Sequence, residues 1–144
     1  MLQRLQTVYL LLSLGCIVLL LFFPVWQTTR GYSAEGLNTV GAGTHIFLMP
    51  VAAILVFSHL VAIFLFKNRK RQLQFCTGNI LLFIIYLIWA LIIIQTESHI
   101  FQNFNIAEFK TGAYLPLIGM ILNILARIGI LKDEALIRSM NRLR

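Results

Sequence analysis

Hydrophobic residues in this chain gather into four long runs, at about residues 7–24, 46–66, 75–95 and 113–131, separated by polar or basic stretches. Each run approaches the ~20 apolar residues that an α-helix needs to cross ~30 Å of hydrocarbon. The pattern predicts an all-α, polytopic membrane protein with four transmembrane helices in one bundle. Too little chain is left over for a second domain.

The connections differ in character. Residues 27–44 carry Gly31, Gly36, Gly41 and Gly43 among Ser, Thr and Asn, a composition that favours turns and irregular structure. Pro50 falls in the first turn or so of the second helix, where a missing N–H does little harm. Residues 67–71 (Lys-Asn-Arg-Lys-Arg) read as a tight basic hairpin. In the connection 96–111, Ile100, Phe101, Phe104, Ile106 and Phe109 mix with polar residues, as in an amphipathic segment lying on a membrane face or a docking patch for a partner. Beyond the fourth run, residues 132–144 read as a short basic amphipathic tail with Leu136, Met140 and Leu143 on one side. Asp133 and Glu134 at its start suit a helix amino terminus.

Composition agrees with a lipid-solvated protein. Of the 144 residues 59% are hydrophobic and only 12% charged, and the mean hydropathy is +0.85. A soluble domain has roughly 25% charged residues. The net charge of +7 raises the question of nucleic acid. A nucleic-acid footprint needs a basic face with base-stacking aromatics, whereas these aromatics sit within or beside the apolar runs. Topology explains the charge better. Arg4, Lys67, Arg69, Lys70, Arg71, Arg127, Lys132, Arg138, Arg142 and Arg144, ten of the twelve cations, fall on alternate gaps or at the ends. Arg30 and Lys110 share the other side with Glu35, Glu97 and Glu108. Short loops rich in Lys and Arg stay cytoplasmic, so both termini and residues 67–71 are expected in the cytosol. The same basic groups are candidates for contact with anionic phospholipid: Lys67, Arg69, Lys70 and Arg71 in the hairpin, and Arg138, Arg142 and Arg144 in the tail.

The first run shares some features with a signal peptide. Arg4 precedes it, but no A-x-A-like site follows closely, and the apolar stretch continues past the faint lipobox at Leu14-Gly15-Cys16. An uncleaved first helix is the expectation.

Few residues suggest chemistry. Cys16 is placed near mid-membrane and Cys76 at the cytoplasmic edge, roughly 10 Å or more apart in depth by helical rise. That is too far for a disulfide. Four-helix thiol oxidases carry cysteine pairs in outer loops, which this chain lacks. His45 and His99, with Glu35, Glu97 and Glu108, match no metal-ligand spacing, so no metal and no cofactor are expected. No phosphate loop, nucleophile elbow, ion-filter sequence or half-helix pair is present. Polar groups inside the runs are the stronger signal, because they are costly at membrane depth. His59, Asn79 and Asn123 are expected to face the bundle interior, with Arg127 snorkelling toward the cytosol. Gly119, Asn123 and Arg127 share one helical face. Interhelical hydrogen bonding is the plainest role for these groups. Contact with a partner or lipid is a second, and a proton or substrate path a third, which lacks an intramembrane carboxylate.

The opening Met1-Leu2-Gln3-Arg4-Leu5-Gln6-Thr7-Val8-Tyr9-Leu10-Leu11-Leu12 and the closing Lys132-Asp133-Glu134-Ala135-Leu136-Ile137-Arg138-Ser139-Met140-Asn141-Arg142-Leu143-Arg144 carry a resemblance over the whole length. The chain resembles a family of small four-helix membrane proteins from one Gram-negative phylum, catalogued as domain of unknown function 4293. Asn141 stands where that family usually has Asp, which removes one possible tail ion pair. The resemblance implies an inner-membrane location and no established activity. Taken together, these readings point to a non-catalytic accessory or structural subunit of a bacterial inner-membrane complex, with protein export or envelope assembly as the first partner class. A small solute or lipid carrier acting as an oligomer is the alternative.

Overall fold

The computed structural model describes residues 2–27, 39–43, 46–98 and 109–142. Among the described residues four helices make up the fold: α1 (Leu2–Leu20), α2 (Leu48–Phe64), α3 (Arg69–Ser98) and α4 (Thr111–Arg142). The last two are long and apolar enough to cross a membrane; the apolar stretches Leu5–Leu20 and Leu48–Phe64 are shorter.

Every helix buries one residue in each three or four, in strict alternation. On α1 these are Gln6, Leu10, Ser13, Ile17 and Leu20; on α2, Leu48, Ala52, Leu55, His59 and Ala62. On α3 the row runs Gln72, Cys76, Asn79, Phe83, Tyr86, Ala90 and Ile93. On α4 it runs Gly112, Pro116, Gly119, Asn123, Ala126, Ile130 and Asp133. A 3.5-residue repeat keeps a narrow seam facing its neighbours and belongs to left-handed supercoiled bundles. The remaining faces stay apolar and open, with Phe22, Phe57 and Phe64 among the most exposed side chains.

Side-chain contacts give the directions. Gln6 near the start of α1 bonds Asp133 late in α4, while the Pro24 carbonyl just past α1 takes the Gly112 N–H at the start of α4. These two helices therefore run antiparallel. Ser58 meets Asn79 and Phe47 meets Trp89, which sets α2 antiparallel to α3. Each helix packs on the next in chain order and α4 closes on α1, an up-down-up-down bundle.

Boundaries depart from the sequence pattern where the ends are capped by tertiary contacts. The α-helical part of α1 stops at Leu20, and Leu21 and Phe22 close the end with tighter bonds to the Val18 and Leu19 carbonyls. A short 3-10 turn, Leu65–Lys67, and Asn68 join α2 to α3, so Arg69, Lys70 and Arg71 form the first turn of α3 instead of a hairpin loop. The tail does not begin a helix of its own. Nothing between Leu131 and Lys132 breaks the backbone, α4 continues to Arg142, and the Asp133 carboxylate sits on the seam against Gln6 rather than at a helix amino terminus.

At the far end the fold adds a small sheet. Strands β1 (Trp26–Gln27) and β2 (Thr39–Val40) pair antiparallel with Trp26 opposite Val40, and Phe109 bridges to Trp26 from the other side. Lys110 N donates to the Val25 carbonyl at 3.1 Å, and Gly112 N to that of Pro24 at 3.1 Å. The second bond satisfies one of the four unpaired amides at the start of α4. Most of the amphipathic segment expected in this region (Ile100, Phe101, Phe104 and Ile106) lies outside the described residues, as do Arg30, Glu35, His45, His99, Glu108 and Arg144.

Gly112 is fixed by this junction. A Cβ there would stand 2.6 Å from the Phe23 carbonyl oxygen and closer still to that of Pro24, and backbone cannot move aside as a side chain can. Gly112→Ala is expected to destabilise the bundle by about 3 kcal/mol, the upper part of the overpacking range. Gly78→Ala, which meets nothing within 4 Å, should gain up to about 1 kcal/mol from helix propensity. Unfolding in mixed micelles, followed by circular dichroism, separates the two.

Candidate functional site

The two apolar clusters of the core are separated by polar residues. One cluster gathers Ile17, Leu20, Leu55, Phe83 and Tyr86 with Val25, Trp26 and Val40 of the capped end. The other gathers Leu10, Cys76, Ala126 and Ile130. The intervening seam positions are Ser13, His59, Asn79 and Asn123, one from each helix, and all four are 0% exposed. Four helices thus contribute one polar side chain apiece to a single layer.

Their partners tie all the helices together. Ser13 Oγ donates to the Gly119 carbonyl at 2.8 Å and lies 3.1 Å from His59 Nε2. His59 Nδ1 lies 2.9 Å from the Leu55 carbonyl, which can only accept, so that nitrogen carries hydrogen. With the ring neutral, Nε2 is an acceptor. The single Ser13 hydroxyl hydrogen is then shared between two acceptors, one on α2 and one on α4. The Phe83 ring stands edge to face with the imidazole, centroids 5.6 Å apart at 80°. Next in the chain, Ser58 Oγ bonds both the Leu55 carbonyl and Asn79 Oδ1. Asn123 Nδ2 donates to the Cys76 carbonyl at 3.3 Å, one helical turn from Asn79.

Sequence reasoning named His59, Asn79, Asn123 and Arg127 as one polar group. The structure places the first three in the layer and Arg127 apart from it, half-buried at the rim of α4 with Nε donating to Thr77 Oγ1 at 3.1 Å. Ser13 was missed, although it binds two other helices. So were Gln6 and Gln72, of which Gln6 Nε2 reaches Asp133 Oδ2 at 2.7 Å and Gln72 Nε2 the Ala62 carbonyl at 3.1 Å. A signal existed: Gln6 and Ser13, and again Gln72, Asn79 and Tyr86, are spaced by seven. Among the basic candidates, Arg69, Lys70 and Arg71 line the first turn of α3, and the side chains of Lys67, Arg138 and Arg142 are outside the described residues. Cys16 and Cys76 are both free thiols on separate helices. Among the described residues, no three His, Cys, Asp or Glu gather as metal ligands would.

These features define an all-helical four-helix bundle, apolar outside and carrying a polar layer within, with two helices long enough to span a membrane. The chain belongs to the family described as domain of unknown function (DUF4293), whose model matches residues 2–143. No curated protein and no solved structure matches it.

Coupling through Ser13 can be measured directly. Ser13→Ala removes the donor to Gly119 and the partner of His59, and should cost about 0.6–2 kcal/mol, the range of interhelical hydrogen bonds in apolar surroundings. In a double-mutant cycle with His59→Phe, the two losses should not add, since the residues touch. Additive losses would show that Ser13 and His59 act separately.

Proposed function

We propose that this chain is a four-span protein of the bacterial inner membrane with both termini and the Lys67–Arg71 connection in the cytosol. On this reading it serves as a non-catalytic accessory subunit of a larger membrane complex, with protein export or envelope assembly as the first partner class. The observation that carries it is the segregation of the bundle. Polar seam residues hydrogen-bond across helices, while the outer faces of the helices remain open and apolar.

The placement of charge supports the orientation. Up-down topology brings the start of α1, the first turn of α3 and the end of α4 to one end of the bundle, and that end collects Arg69, Lys70, Arg71 and Lys132. Lys110 lies at the other end, beside the small sheet. Positive residues gathered at one end are retained on the cytoplasmic side. They also suit anionic phospholipid, at about 1 kcal/mol per basic residue near the surface.

The shorter helices fit a span once their extensions are counted. At 1.5 Å per residue, the 17 residues of α2 rise about 25 Å. The 3-10 turn after α2 and the turn after α1 lengthen each, and modest bilayer thinning accommodates the rest. A second reading, an oligomeric carrier of a small solute or lipid, draws on the polar layer at mid-bundle, which a transport path would use.

Extraction in mild detergent followed by native purification should recover stoichiometric membrane partners. Recovery only as a free monomer or homo-oligomer would count against the subunit reading. Reporters active only in the periplasm, fused at either terminus, should stay silent. Under the carrier reading, His59→Ala and Asn123→Ala abolish uptake of a solute with expression intact, whereas under the subunit reading they lower stability alone.

A further inference from the structure

The polar layer is not closed by its own side chains. Asn79 uses its oxygen for Ser58 and leaves Nδ2 without a partner, and Asn123 uses its nitrogen for the Cys76 carbonyl and leaves Oδ1 without one. Both residues are 0% exposed. They lie on adjacent antiparallel helices, and the carbonyl that holds Asn123 is one turn along α3 from Asn79. One orphan is a donor and the other an acceptor. A buried amide group left unbonded costs about 1–3 kcal/mol, so two such atoms in one layer are a substantial defect unless something joins them.

We propose that a water molecule is bound inside the bundle between Asn79 and Asn123, accepting from Asn79 Nδ2 and donating to Asn123 Oδ1. Water is the smallest molecule that does both, and buried waters characteristically bridge polar groups that would otherwise stay unpaired. The bridge forms with either orientation of the Asn79 amide. Asn123 is fixed, because its oxygen against the Cys76 carbonyl would set two acceptors together. Turning Asn79 end for end lets its nitrogen donate to Ser58 and leaves an oxygen unpaired instead; a water with two hydrogens serves that pair equally well. Ser13, His59 and Ser58 complete the polar surroundings of the layer, while Cys76 and Phe83 border Asn79 along the seam on its two sides. The α3–α4 contact at mid-bundle is therefore water-mediated.

X-ray radiolysis of the full-length chain in nanodiscs, in ¹⁸O-water with mass-spectrometric readout, tests this. Hydroxyl radicals generated from a bound internal water label the side chains beside it, whatever their accessibility to bulk solvent. Phe83 should take up ¹⁸O although it is 0% exposed. Ile130, two turns along α4 from Asn123 and 1% exposed, should be labelled much less. Asn79→Leu/Asn123→Leu should abolish labelling of Phe83 and leave that of the exposed Phe57 unchanged. Phe83 unlabelled in the unsubstituted protein would overturn the proposal without any variant. So would a rise in melting temperature for Asn123→Leu alone, since only a dry layer gains when an unpaired oxygen is removed and no bridge is lost.

Discussion

The packing of this bundle rests on the hydrogen bonds that its seam makes across helices, because hydrophobicity does not distinguish its inside from its outside. The residues that face outward on α2 and α3 (Ile54, Phe57, Leu81, Ile85, Ile88) are as apolar as those facing inward. In the lipid setting proposed above, solvent exclusion gives such side chains no reason to turn one way. What does turn a helix is a polar group that has to be bonded, or a small residue that lets a neighbour approach. Ser13, His59, Asn79 and Asn123 supply the first; Gly112, Gly119, Ala126 and Gly129 supply the second. At Gly119 the Phe83 ring lies 2.9 Å from where a Cβ would be, so α3 and α4 meet through the absence of a side chain.

The same condition decides what the sequence revealed. Four runs and an all-helical bundle were legible, because helix length and apolarity are properties of each segment alone. His59, Asn79 and Asn123 stood out as interior residues, being polar within apolar runs. Ser13 did not, since a lone serine in a helix satisfies itself on its own backbone as readily as across a seam, as Ser139 does with the Leu136 carbonyl. The heptad itself was hidden by Leu, Ile and Phe on every face, and only the polar residues spaced by seven mark it. Arg127 was grouped with the layer by its spacing of four from Asn123. In a 3.5-residue seam, however, the next inward position is Ala126, which leaves Arg127 at the rim beside Thr77.

The capped end was the least legible. A two-residue ribbon has no hydrophobic pattern, and its pairing of Trp26 with Val40 and Phe109 joins residues distant in sequence. The constraint is visible only from α4. Gly112 accepts no side chain because the Phe23–Pro24 backbone lies on it, and Pro24 offers a carbonyl there that the end of α1 does not use. The connection after α1 is thus held at both ends, by β1 pairing and by the first turn of α4, while the turn-rich composition of residues 27–44 had suggested only an irregular loop.

A polar layer that draws one residue from each helix has a consequence for specificity. Shifting any helix by one heptad would break its bonds within the polar layer to two neighbours at once. Moving α1 by seven residues so that Leu20 takes the place of Ser13, for example, leaves His59 Nε2 and the Gly119 carbonyl facing a leucine. Apolar layers tolerate such slippage, since Leu against Ile packs nearly as well in either register. Bonded polar residues do not, as the register-setting role of a single buried asparagine in coiled coils illustrates. The central layer therefore accounts for why four helices of nearly uniform apolarity adopt one alignment, and that role requires none of its members to take part in a reaction.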